Sequence, residues 1–336
     1  MKEWRFWLSE QRGTLLAVAL FVVMFSIYVG NHPAIINKGF TVDTVSNVVQ
    51  TAANKGSMLA FVAMGQAFVV ITAGIDLSVG MIFLLANCLA SYLVAGPTAL
   101  ALVGVVGTLA AGALCGAVNG LIVIFGLLQP IVVTIATGGI YYGIALWMRP
   151  NPGSSPGFNS DLADAMTGKL FDIVPTSLVI LLATVVIIWI PFRRSEVGRA
   201  MYATGSSQIA AYMSGMPIRR AKFLAYMFSG IFAAMGGLLL TFTTYSGEAL
   251  AADGGNYTLF SIAAVVLGGV SLFGGRGSAV GALFGALAFR AIGDLLFVFA
   301  IDALWQPLFQ GVVLFVAVSI GAARLFRVRN RLDLFG

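Results

Sequence analysis

The chain has 336 residues, of which 59% are hydrophobic and 10% charged, and its mean hydropathy is +0.97. A water-facing domain carries roughly 25% charged residues, so most of this surface does not face water. The net charge of +6 would suit a nucleic-acid binder, but the basic residues cluster at the ends of apolar runs, which is the pattern of a chain oriented in a bilayer and not of a nucleic-acid surface.

Runs of about twenty apolar residues recur along the chain, each long enough for a hydrocarbon core of about 30 Å. The strand alternation of a β-barrel is missing, so the expected fold is all-α and polytopic, with about ten spans inside one domain, 1–336, embedded over 13–323. The start, MKEWRFWLSEQR, is basic and aromatic and suits the cytoplasmic interface. Residues 14–29 form the first span, read as a retained anchor because no small-residue cleavage signal follows. Residues 41–53 are expected as a short helix at or dipping into the outer face. Residues 57–72 and 81–95 are spans separated by the break AGIDLSVG at 73–80. Gly96-Pro97 turns into a span over 98–127, and Gln129-Pro130 starts another over 131–148.

Residues 149–174, rich in proline and bearing Asp161, Asp164 and Asp172, read as the main periplasmic loop. A sixth span, 175–192, leads into a polar loop over 193–222. That loop holds Arg193, Arg194, Arg199, Arg219, Arg220 and Lys222 against one acid, Glu196. Spans follow at 223–245, 259–273 (ended by GGRGS), 279–299 and 305–323, before a tail with Arg324, Arg327, Arg329 and Arg331. Six spans before the basic loop and four after it put both termini and the loop on one side. Thirteen of the nineteen Lys and Arg residues fall there, so that side is expected to be the cytoplasm. Gly112, Gly116 and Gly120 in one half, and Gly277, Gly281 and Gly285 in the other, repeat every four residues, a spacing that lets helices approach closely. Each half also has a broken span, as in transporters built from repeats.

No catalytic constellation is visible. GGRGS lacks the GK[ST] ending of a phosphate loop, and no HExxH, paired-cysteine or nucleophile-elbow pattern occurs. The expected protein is therefore non-enzymatic, without cofactor or metal, and powered by a partner or an ion gradient. Cys88 and Cys115 lie within apolar runs, where buried thiols are expected and not a disulfide. Asp76 and Ser78 in AGIDLSVG can cap the helix that restarts after the break, or contact a solute. Arg290 and Asp294, one turn apart, can neutralise each other on a helix face or meet a solute. Gln66, Asn119, Thr134 and Gln310, with Asn87, Gln129, Thr137 and Gln306, are uncharged polar residues within spans. Together with Tyr141, Tyr142 and Trp147 they could line a path for a neutral hydroxylated solute, or simply bond between helices.

In the basic loop, SSQIAAYMSGMP reads as one short helix. Ser206 or Ser207 can cap it, Gly215 can close it and Pro217 prevents its continuation. Ile209, Tyr212 and Met213 share one face. A helix of about ten residues does not persist alone in water, so it must rest on the bilayer, on its own spans or on a partner.

Three stretches in register, AGIDLSVG, VGRAMYATGSSQIAAYMSGMPIRRAK and AAVVLGGVSLFGGRGSAVGALFGAL, resemble the sugar-type permeases (ribose and galactoside group) of bacterial ABC importers, over about residues 14–323. The resemblance implies a ten-span inner-membrane subunit that pairs with a second permease subunit. It also implies a cytoplasmic ATPase docked on the loop helix and a periplasmic binding protein that delivers the sugar. Coupling to the ATPase would then fall on Gly198, Ala203, Gly205, Ala210, Ala211 and Gly215. The chain departs from the family's habit at Thr258, where a glutamate is common, and at Arg290 with Asp294, where an asparagine is common. The alternatives are a permease for another hydroxylated solute, such as a quorum signal or nucleoside, or an ion-coupled carrier.

Overall fold

A computed structural model describes residues 2–251, 255–316 and 319, with side chains from residue 12 onward except residue 303. The tail arginines and the end of the tenth expected span lie outside the described residues. The protein is mostly helical. Seven described helices are long and apolar enough to cross a membrane. They are α1 (Lys2–Gly30, apolar from Arg12), α3 (Val42–Ile71), α5 (Thr98–Phe125), α6 (Pro130–Met148), the rod formed by α8 (Thr176–Thr184) and α9 (Ile190–Arg194), α12 (Ile218–Thr244) and α14 (Ala279–Val298). Three shorter apolar helices join them: α4 (Val79–Leu93), α13 (Tyr257–Leu267) and α15 (Gln306–Val316). Short α2 (Pro33–Lys38) and α7 (Ser160–Thr167) lie between spans, and α10 (Glu196–Ser206) and α11 (Gln208–Met213) fill the basic loop.

The core is built around α3, which is buried at every position from Gly56 to Ile71 and packs against α12, α14 and α13. Helix α1, by contrast, turns Leu16, Val22 and Val23 outward. In water such a face would be costly, so it belongs against lipid or another subunit. The two glycine stripes explain the tightest contacts. A methyl group at Gly116 would lie 2.1 Å from the Tyr226 carbonyl oxygen, and one at Gly112 2.5 Å from that of Gly230, which seats α5 on α12. A methyl at Gly285 would lie 2.1 Å from the Ala264 carbonyl, which seats α14 on α13.

The structure corrects four boundaries. The expected outer helix over 41–53 and the span over 57–72 are one helix, α3. Thr41 caps it by accepting from the Thr44 amide at 3.2 Å, and Gly56, between the two parts, stays within the helix. Polar Asn54 is tolerated within it because its amide donates to the Thr167 carbonyl at 2.8 Å and accepts from Ser177 Oγ. The sixth span carries a π-turn at Val185–Trp189, just before Pro191, which has no N–H to continue the regular ladder. The eighth apolar run stops at Leu267, and Gly268–Ser278 is a turn with four glycines at positive φ. Finally, the loop holds two helices where one was expected, with Ser207 at the joint. Its hydroxyl accepts from the Ala210 amide at 3.3 Å.

The loop over 149–174 contributes the only regular strands among the described residues, β1 (Lys169–Leu170) paired antiparallel with β2 (Val174–Pro175). The loop is tied to the ends of α4 and α12. Gly153 bridges Gly247, and Arg149 donates to Ser91 Oγ while stacking its guanidinium 3.7 Å over the Tyr92 ring. Gly13, the Gly268–Gly277 turn and α10 gather at the opposite end.

Candidate functional site

Four of the proposed path residues converge on the 73–80 break. Ala73 turns the chain out of α3 with φ +62°. Asp76 then accepts from the Ser78 amide at 3.0 Å and from Ser78 Oγ at 2.6 Å with one carboxylate oxygen. Its other oxygen accepts from Ser229 Oγ on α12 at 2.9 Å. Ser78 Oγ in turn accepts from Asn119 on α5 at 2.8 Å, and Asn119 Oδ1 accepts from Tyr141 on α6 at 3.2 Å. Thr134 Oγ1 accepts from the Leu77 amide at 3.0 Å, and Thr258 Oγ1 accepts from the Gly80 amide at 3.1 Å. Asp76, Ser78, Asn119 and Thr134 are all fully buried. Asp76 thus serves the Ser78 amide at the head of α4, while Ser78 itself makes no side-chain cap bond to that helix. The Leu77 and Gly80 amides find acceptors on α6 and α13, and the Ser78 amide finds one in Asp76, the kind of pairing that irregular backbone away from water requires. Ser229 is a member that sequence reasoning did not include, and Thr258 entered it only as a departure from the family's glutamate. Lone hydroxyls in apolar runs carry no local signal of their distant partners.

The second break meets the first. The Gly275 amide donates to the Ile71 carbonyl at 2.9 Å, and Tyr202 of α10 donates to the Gly277 carbonyl at 2.7 Å. Gly205 of α10 sits in the corner between them: a methyl there would lie 1.9 Å from the Ile71 oxygen and 2.4 Å from the Gly275 nitrogen. Helix α10 is thus held directly on the ends of both broken segments. Of the six residues assigned to coupling, Gly198, Gly205 and Ala211 are buried against their own chain, and Ala203 is half-buried. Ala210 and Gly215 are exposed. Gly215 closes α11 in a left-handed turn, φ +70°, in which the Met216 amide reaches back to the Ala211 carbonyl at 3.0 Å. Beside it, Ile209, Tyr212 and Met213 are 76%, 78% and 83% exposed, so the shared apolar face of α11 is left largely uncovered by the described residues.

The other candidates lie apart. Trp147 is 85% exposed on the flank of α6. Gln66 is wholly buried on α3, and neither side-chain amide atom has a hydrogen-bond partner among the described residues. Arg290 and Asp294 are half-buried one turn apart on α14, with Lys55 and His32 also near Asp294. Gln310 on α15 is buried at the wall of a cleft between α13, α14 and α15, together with Asn256, Phe260, Phe289 and Gln306. Cys88 and Cys115 are both buried as free thiols. No group of three potential metal ligands occurs among the described residues.

Residues 48–318 match the profile of a family described as branched-chain amino acid transport system / permease component. A probable ABC transporter permease protein of Sinorhizobium fredii is 34% identical over 91% of this chain and 89% of its own length. The ribose import permease protein of Escherichia coli is 32% identical over 94% of both chains. The D-allose transport system permease protein of Escherichia coli is 29% identical over 94% of this chain and 92% of its own. No solved structure matches. With its apolar helices, two capped breaks and a loop helix seated on both, the chain belongs to this family of transport-system permease components.

Proposed function

We propose that the chain is the membrane-spanning subunit of an ATP-driven importer for a monosaccharide, working with a separate cytoplasmic ATPase and a periplasmic binding protein. The observation that carries this reading is the likeness to sugar permeases over nearly the full length of both proteins, at 32% identity to the ribose permease. The loop geometry fits the role of transmitter. Helix α11 offers a bare apolar face, and α10 rests on the two breaks that any rearrangement of the path must move. In this reading seven long and three short apolar helices make ten crossings. Gly13 and the basic loop lie at one end and the 149–174 loop at the other. The amino end, the basic loop and the tail are then cytoplasmic, in a bacterial inner membrane. A second permease subunit covers the outward apolar faces of some helices, and lipid covers the rest. The chain itself hydrolyses nothing. ATP binding closes the partner ATPase, moves α10 and α11, and switches the path from outward to inward opening.

Coupling is assigned to the exposed strip at Ile209, Ala210, Tyr212, Met213 and Gly215, with Gly198, Ala203, Gly205 and Ala211 holding that strip in place. Asp76, Ser78, Asn119 and Thr134 brace the break, and Gln66, Arg290, Asp294 and Gln310 remain solute contacts to be tested. The test is uptake by proteoliposomes containing this chain with its ATPase, supplied with loaded binding protein. ATP-dependent accumulation of ribose, allose or fructose supports the reading. Uptake driven by a proton or sodium gradient with no ATPase would replace it with an ion-coupled carrier. The family description favours one second reading, an amino-acid permease, which leucine uptake in the same vesicles would establish.

A further inference from the structure

The cleft between α13, α14 and α15 encloses about 300 Å³, at the small end of the range for small-molecule sites. Its polar groups are all carboxamides: Asn256 at the start of α13, and Gln306 and Gln310 on α15. Gln310 is only 4% exposed, and it lines the cleft. A nearly buried amide on the wall of an apolar cleft gains from a ligand able to donate and accept. Gly293 makes room for the neighbouring amide. A methyl there would lie 3.0 Å from Gln306 Oε1. The Phe260 and Phe289 rings, also on the lining, meet with centroids 5.2 Å apart and an interplanar angle of 47°, forming an apolar surface.

We propose that this cleft is a solute-contact site for a neutral polyhydroxylated molecule, with Gln310 as the residue that selects hydroxyl positions. The inference rests on the monosaccharide reading above and names where in the chain the sugar is held. Carboxamides pair equally with hydroxyl donors and acceptors, whereas a charged solute would find no countercharge on this lining. The aromatic lining suits the C–H faces of a sugar ring. The site is also placed to respond to the loop. Helix α13 forms one wall, and its end continues into the Gly268–Ser278 turn, which is bonded to Ile71 through Gly275 and touches α10.

The experiment measures uptake by the complete transporter of labelled D-ribose, D-allose and D-fructose and of monodeoxy analogues of whichever is transported. The binding protein's own preference cancels when each variant is divided by wild type. Gln310→Leu should lower uptake of the parent sugar about 10-fold, the scale of one lost hydrogen bond. It should also remove most of the preference over at least one deoxy analogue. A variant that only loosened packing would lower parent and analogues together. Gln306→Leu, at a half-buried position, gives the same comparison if Gln310→Leu does not insert. Wild-type uptake of all sugars by both variants, or equal loss for parent and analogues, overturns the site while leaving the importer reading intact. A wild-type transporter that accumulates none of the three sugars overturns the monosaccharide reading, and the site with it.

Discussion

Replacing Gly205 by alanine adds one methyl group at a place where three backbone segments meet. That methyl would stand 1.9 Å from the Ile71 carbonyl oxygen and 2.4 Å from the Gly275 nitrogen. These two atoms are also hydrogen-bonded to each other at 2.9 Å. Neither obstacle is the end of a flexible side chain, so relief requires α10 to lift away or the Gly275–Ile71 bond to open. Overpacking of this kind costs about 1–3 kcal/mol, and the lost backbone hydrogen bond adds about 1 kcal/mol. The total is about 2–4 kcal/mol. Gly215→Ala is the control. Nothing lies within 4 Å of a methyl there, and the penalty is only that of a left-handed residue at φ +70°, about 1–2 kcal/mol. Thermal unfolding of the purified protein in detergent, followed by ATP-dependent uptake, separates the two. Gly205→Ala should unfold at a clearly lower temperature and lose transport while still inserting. Gly215→Ala should lose much less stability. Equal melting temperatures for Gly205→Ala and wild type, with normal uptake, would falsify the claim that α10 is clamped at this corner.

Three further outcomes are expected. Asp76→Ala leaves the Ser78 amide, Ser78 Oγ and Ser229 Oγ without their acceptor, at a cost of about 2–4 kcal/mol. Asp76→Asn, which keeps one acceptor oxygen, should lose clearly less; equal melting temperatures for the two would count against the bracing role. Ile209→Glu, on the bare face of α11, should leave thermal stability within about 0.5 kcal/mol of wild type and yet reduce ATP-dependent uptake strongly. Normal uptake would remove that face from the coupling surface. His32 sits outside the long helices and caps α2 through Nδ1, which accepts from the Ala34 amide at 3.1 Å. Desolvation lowers its pKa from the usual 6.5, the nearby Asp294 carboxylate opposes that shift, and Lys55 reinforces it. The unfolded chain then binds the proton more readily, so stability is retained above pH 6.5 and falls as pH drops through that value. His32→Asn keeps a cap that does not titrate, and its melting temperature should change less than wild type between pH 7.5 and 5.5. Identical pH profiles would remove the cap from the account.

Hydropathy alone was enough to identify a helical membrane protein. The spans are legible because any run of about twenty apolar residues without charges has few other stable environments. Caps and breakers were legible for the same local reason: Ser207, Gly215, Pro217 and the AGIDLSVG break act through neighbours a few residues away. Errors arose where local signals were silent. Nothing between residues 53 and 57 shows that α3 runs on unbroken, because Asn54 is made tolerable by Thr167 and Ser177, more than a hundred residues downstream. For the basic loop, the resemblance implied that its glycines serve coupling to a partner, and packing inside the chain adds a second reason for one of them. Gly205 is glycine because the α3 terminus and the second break press on it from inside the same chain.

The sequence by itself therefore determined the class, the polar interruptions and the residues able to cap them, all of which follow from chemistry within one or two helical turns. Only the tertiary structure decided which interruptions meet. It joined Asp76 to Ser229, Asn119 to Tyr141, and α10 to both breaks. It also left the Ile209, Tyr212 and Met213 face uncovered and set Gln310 at the wall of a cleft. Such pairings depend on which helix faces pack together, and in a chain whose spans are nearly all apolar the pattern of hydrophobic residues does not distinguish one face from another.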